Sequence, residues 1–165
     1  MHFICGPLYL CDNSKMESSR IADQLRRSIH GEAWHGPSVM ELLNDVDWRQ
    51  AVAKPIAAKH SIWEIVLHIS AWADTAARRS RGETVDLTPA EDWPPVTDAS
   101  EESWRRSVQT LAKKQEALAG LTATLTDEQL QATAGGKDYS VYFLLHGVVQ
   151  HNLYHAGQIA LLKKT

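Results

Sequence analysis

The chain has 165 residues, 44% of them hydrophobic and six of them tryptophan, which is enough apolar side chain for one domain with its own core. A formal charge of -3 and an isoelectric point near 6.2 exclude the basic footprint of a nucleic-acid-binding protein. No apolar run reaches the roughly 18 residues that a bilayer span needs, and the opening MHFICGPLYLCDNSK lacks the basic start of a secretory signal, so a soluble, cytoplasmic protein without membrane partners is expected.

Residues 1–15 hold both cysteines, Cys5 and Cys11, at a spacing that neither bridges distant parts of a fold nor matches a CxxC metal motif. They form an expected N-terminal extension, with the domain proper over residues 16–165. Ile21, Leu25 and Ile29 recur every four residues and predict a first helix from Glu17 to about Ile29, ended by HGEAWHG. PSVMELLND predicts a short helix with Pro37 in its first turn, and DWRQAVAKPI reads as a connecting stretch broken by Pro55. A second long helix is expected from about Ser61 to Arg79, where the basic RRSRG suits the negative pole of the helix dipole. ETVDLTPAEDWPPVTDAS, with three prolines, reads as a loop. A third long helix opens at Ser100, buries Trp104, Val108, Leu111, Gln115 and Leu118, and fades near Leu121 to Leu125. TDEQL reads as a capped turn, AGGKDYS as a link, and a fourth helix runs from about Ser140 to Leu162. With no strand-like alternation, the expected fold is all-α, a four-helix bundle with long connections.

The fourth helix sets three histidines among apolar residues. With His151 taken as zero, His155 falls at about 40°, Val148 at about 60° and Ile159 at about 80°, so both rings lie inside the apolar stripe. His146 lies about 140° away and reads as a packed or interfacial residue. Two buried imidazoles one turn apart each need a partner, and one divalent metal ion serves both. Such an ion usually takes at least three protein groups. The second helix supplies His68, on a stripe with Ile65, Trp72 and Ala76. Free imidazole titrates near 6.5, so metal binding is expected to weaken below about that pH. Glu64 and Trp72, one turn to either side of His68, and Asn152 and Tyr154, beside the ligand stripe, are expected to brace the ligands or shape a pocket. Glu64 reads rather more readily as a capping carboxylate, and Trp72 as a core wall.

SIWEIVLHISAW on the second helix, HNLYHAGQIALL on the fourth and the earlier EAWHGPSVMELL together resemble the DinB-like superfamily of DinB/YfiT-type four-helix bundles, over about residues 17–163. The resemblance implies a divalent metal, zinc or nickel, on one histidine of the second helix and two of the last, here His68, His151 and His155. It also implies a relation to metal-dependent thiol S-transferases, with a small-molecule thiol and an electrophile as partners. The residues alone leave open a metal-dependent hydrolase and a non-catalytic, metal-stabilised binding module, and they assign no catalytic side chain.

Val149, Leu153, Ala156 and Ala160 form a second apolar stripe at about 140° to 200° from His151. Either loops or another subunit must cover it. DinB-like proteins are often dimers, and a homodimer through this stripe, with His146 near its edge, is expected.

Overall fold

The computed structural model describes residues 16–56 and 60–164, so the expected extension over 1–15 lies outside the described residues. The elements are α1 (Met16–His30), α2 (Val39–Leu43), α3 (Trp48–Val52), α4 (Ile62–Ser80), α5 (Pro89–Asp92), α6 (Glu101–Thr124), α7 (Asp127–Gln131) and α8 (Val141–Leu162). The four long helices are the expected ones, and each of α4, α6 and α8 starts where a serine (Ser61, Ser100, Ser140) accepts a hydrogen bond from a backbone N–H of the first turn. No helix among the described residues is long and apolar enough to cross a membrane.

Three short elements depart from expectation. Pro37 precedes the cap residue Ser38 rather than entering α2. DWRQAV is itself a helix, α3, because the Asp47 carboxylate accepts from the Gln50 N–H. Within the proline-rich stretch, Thr88 and Glu91 form a capping box with Pro89 at the first helical position, and α5 results.

Helix directions follow from which ends meet. Trp63 Nε1 donates to Ser107 Oγ at 2.9 Å near the starts of α4 and α6, so these run parallel. His68, early in α4, meets the later part of α8, while Arg79 Nη1 donates to Tyr139 Oη just before α8 begins, so α4 and α8 are antiparallel. Ile21 and Leu25 pack in one cluster with Leu144, Leu145, Leu118 and Ala119, and Ile29 packs in a second with Leu111 and Ile159. Helix α1 therefore runs with α8 and against α6, and the order is up, down, down, up.

The two apolar clusters are separated by a buried polar layer. Asn152 Nδ2 donates to Ser28 Oγ at 3.1 Å and to Gln115 Oε1 at 3.4 Å, and Gln115 Nε2 donates to Asn152 Oδ1 at 3.3 Å. Ser28 closes the set by donating to the Leu25 carbonyl at 2.7 Å. All three side chains are buried, so each needs these partners.

The second stripe of α8 is partly occupied from within the chain. Ala156 joins the core, and Glu32 to His35, from the α1–α2 connection, border the same groove as the half-buried Val149 and Leu153. The large apolar side chains that α8 leaves exposed are instead Phe143, Tyr154 and Leu161.

Asn152→Ala strands Ser28 and Gln115 in the core and is expected to cost about 1–3 kcal/mol. Urea unfolding reads this as a lower midpoint at unchanged slope; a midpoint equal to that of the parent would show that the layer adds nothing to stability.

Candidate metal centre

The capping box of Ser61 and Glu64 fixes the start of α4, and Ile62, Ile65, Val66 and Ile69 hold its apolar face in the core. His68 is carried inward on the next turn, opposite the antiparallel α8. There His151 and His155, one turn apart, present their rings on one face. His68 Nε2 lies 2.9 Å from His151 Nε2, which lies 3.1 Å from His155 Nε2. The ligating nitrogens of the three residues all fall within 4.8 Å of one another.

The outer nitrogens decide the tautomers. His68 Nδ1 is 2.6 Å from the Asp92 carbonyl oxygen, and His155 Nδ1 is 2.6 Å from Gln158 Oε1. Both oxygens are acceptors, so both Nδ1 atoms carry the proton, and the Nε2 atoms of neutral His68 and His155 are bare lone pairs. His151 Nδ1 is buried without a hydrogen-bond partner. Its single proton, if on Nε2, satisfies one of the two facing lone pairs and leaves the other unmatched. If on Nδ1, three lone pairs converge. Either way the neutral cluster lacks a positive partner at its centre, which is what a divalent cation supplies to three imidazoles.

The connection between α4 and α6 braces the cluster. Helix α5 delivers the Asp92 carbonyl to His68, and the Asp92 carboxylate accepts from Trp72 Nε1 at 2.7 Å while lying 3.2 Å from His68 Nδ1. Trp93 stacks on His68 at 3.8 Å between ring centroids and on His60 at 3.4 Å, so it is sandwiched between two imidazoles.

Burial dominates the electrostatics. It pushes His151 down to about 3, with the charges of His155 and His68 adding to the shift, and His155 down to about 4, partly opposed by the hydrogen bond to Gln158. His68 is also lowered by burial, against the pull of the Asp92 carbonyl and carboxylate. Protons therefore compete for the His151 and His155 lone pairs at about 3 and about 4, well below the ordinary imidazole range near 6.5 expected from the sequence.

The other expected residues divide. Trp72 is at the centre, its ring 6.3 Å from that of His68 and 5.9 Å from that of His151. Tyr154 sets its ring against His155 at 5.2 Å but is mostly exposed. Glu64 is taken up elsewhere, accepting from the Ser61 N–H and from Lys54 Nζ, both at 2.8 Å. Asn152 belongs to the buried layer with Ser28 and Gln115, because a helix turns it about 100° from His151 into the bundle interior. His146 is apart from the cluster, its Nε2 buried without a partner and its ring 4.4 Å from Tyr142. Sequence reasoning missed Gln158, Asp92 and Trp93. Gln158 was legible as a residue three positions after His155 on the same face; Asp92 and Trp93 follow only once the T-P-x-E capping box of α5 is recognised.

The sequence model of the DinB superfamily matches residues 34–159, which span all three histidines. Comparison with curated proteins and with solved structures finds no match.

The lowered pKa values carry a sign that can be checked in metal-free protein. Between about 6.5 and about 4 the unfolded chain binds protons that folded His151 and His155 refuse, so stability is full above the unfolded value and is lost as pH falls through this window. The urea midpoint in chelator is expected to fall from about pH 7 to about pH 5, and to fall less in the double variant His151→Ala, His155→Ala. Equal falls in both proteins would place the lost stability in other groups.

Proposed function

The chain belongs to the DinB superfamily, and we propose that it is a metal-dependent thiol S-transferase whose ion is held by His68, His151 and His155. The observation that carries the metal reading is the pair of fixed tautomers, since Asp92 and Gln158 turn the Nε2 lone pairs of His68 and His155 toward His151, which has at most one proton to offer the two. Three neutral nitrogen donors suit zinc or nickel. Bound there, the ion acts as a Lewis acid that keeps its full positive charge and lowers the pKa of a thiol brought to it.

The chain's own groups define the rest. Trp93 and Trp72 border the cluster and limit its water, while Asp92 holds His68 through its carbonyl and Trp72 through its carboxylate. In the transfer, the sulfur–hydrogen bond breaks, the sulfur forms a bond to the electrophilic carbon, and the proton and the leaving group pass to water. A thiol, with an ordinary pKa of about 8.5, needs little help beyond the cation, whereas water usually needs a general base as well. The two nearby carboxylates, Glu64 and Asp92, are already committed to a helix cap with Lys54 and to Trp72 with His68. This favours transfer to sulfur over hydrolysis.

Metal-loaded protein tested on a panel of thiols with a chromogenic electrophile, beside esters and amides, distinguishes the two chemistries. Thioether formation supports the reading, and ester or amide cleavage without it overturns the transferase assignment. His68→Ala, His151→Ala and His155→Ala should each lose most of the bound metal while His146→Ala keeps it, as measured by metal analysis of the purified variants. Gln158→Leu, which removes the acceptor of the His155 Nδ1 proton, should weaken metal affinity about 10–100-fold in a competition titration with a chelator dye. Unchanged affinity would mean that Gln158 does not orient the ring.

A further inference from the structure

Trp72 and His151 belong to two places at once. Besides bordering the histidine cluster, they line an open cavity of about 220 Å³, together with Tyr139, Phe143, Gly147 and Val148. Apart from His151, whose Nδ1 is buried without a partner, the polar handles of its walls are turned to other partners. Trp72 Nε1 is bonded to Asp92, and the Tyr139 hydroxyl accepts from the buried Arg79 at 3.2 Å. No charged side chain lines the cavity, so it offers aromatic faces and aliphatic edges.

Size and polarity together select the occupant. An apolar cavity of roughly 150 Å³ takes benzene, so about 220 Å³ holds one substituted six-membered ring. Apart from the His151 Nδ1, nothing in these walls would meet the hydrogen bonds of a polar or charged group. Gly147 is one of the lining residues. A Cβ built on Gly147 meets nothing within 4 Å, so neither packing nor backbone conformation demands glycine at this point of α8. Glycine inside a helix is unfavourable relative to alanine, and what its absent side chain leaves open is the cavity.

We propose that this cavity is the subsite for an apolar, aromatic group of the small-molecule substrate, and that Gly147 is the residue that sets the largest ring it admits. The identity of that substrate as the electrophile rests on the transferase reading above. Because Trp72 and His151 line this cavity and also border or belong to the histidine cluster, a ring bound here would lie next to a residue that holds the ion.

Zinc-loaded full-length protein, with Gly147→Ala and Gly147→Leu beside it, is titrated with 4-fluorotoluene and followed by ¹⁹F NMR. Saturable binding to the parent, weakened at least about tenfold by leucine and less by alanine, is expected, with zinc content and urea midpoint equal to or above those of the parent. With a thiol present, the KM for 1-chloro-2,4-dinitrobenzene should rise in Gly147→Leu while that for iodomethane does not. Absence of saturable binding, or equal binding in all three proteins, overturns the subsite. So does a leucine variant that alters only the concentration dependence of the mass in light scattering, because the cavity would then lie between copies of the chain. Ring binding that leucine blocks, accompanied by cleavage of aryl esters and no thioether formation, upholds the subsite and overturns the transferase reading.

Discussion

Because His68 Nδ1 and His155 Nδ1 each face an oxygen acceptor at 2.6 Å, the bundle must hold two bare lone pairs and a third imidazole nitrogen within 4.8 Å of one another, largely out of water. Lone pairs so placed repel, and burial also opposes the protons that would relieve them, as the low values of about 3 for His151 and about 4 for His155 record. Without a cation the cluster leaves at least one lone pair unmatched. Its rigidity has to come from elsewhere, from two apolar clusters and the Ser28–Gln115–Asn152 layer that stands between them. That layer bonds the residue next to His151, so helix register and ligand direction are set by the same contacts.

The up, down, down, up order is what brings α5 to the histidines. Helix α4 has 19 residues, so at 1.5 Å per residue it carries the chain about 28 Å from one end of the bundle to the other. Since α6 runs parallel to α4, residues 81–100 must return over that length before α6 can begin. Their start is held where Arg79 donates to the Val85 carbonyl and Gly135 donates to the Arg79 carbonyl. A Cβ on Gly135 would lie 2.2 Å from Glu83 O, so only glycine permits that approach. The far part of the return passes the cluster, and there the capped turn Thr88–Asp92 presents a carbonyl to His68 and the following Trp93 stacks on its ring. An up-down bundle with short loops has no returning segment to supply such a brace.

The long helices and the three histidines were legible because periodicity over 15 or more residues places each side chain within a few tens of degrees, enough to put His68, His151 and His155 on inward faces. Helices α3 and α5, of five and four residues, are too short for a period to register and are instead specified by their caps. Composition misled there, since the prolines that mark a loop also include Pro89 at a helix start. Asn152 shows a second limit. Adjacency to His151 in sequence suggested a shared pocket, whereas the turn of the helix assigns it to the bundle interior and leaves its amide to Ser28 and Gln115.

Helix α8 is apolar around most of its circumference, a pattern expected of a helix with neighbours on every side. Its buried sectors face different surroundings. Leu145, Ala156 and Ile159 face the core, His151 and His155 face His68, and Val149 with Leu153 borders the α1–α2 connection. Gly147 and Phe143 border the cavity beside Trp72. A single amphipathic stripe would satisfy only the first of these, so the residues that blur the pattern are the ones with tasks besides core packing. The stripe opposite His151 is likewise shared, Ala156 facing the core while Val149 and Leu153 border the groove beside the α1–α2 connection, and a separate exposed line runs through Phe143, Tyr154 and Leu161, the first of which walls the cavity and the second of which abuts His155.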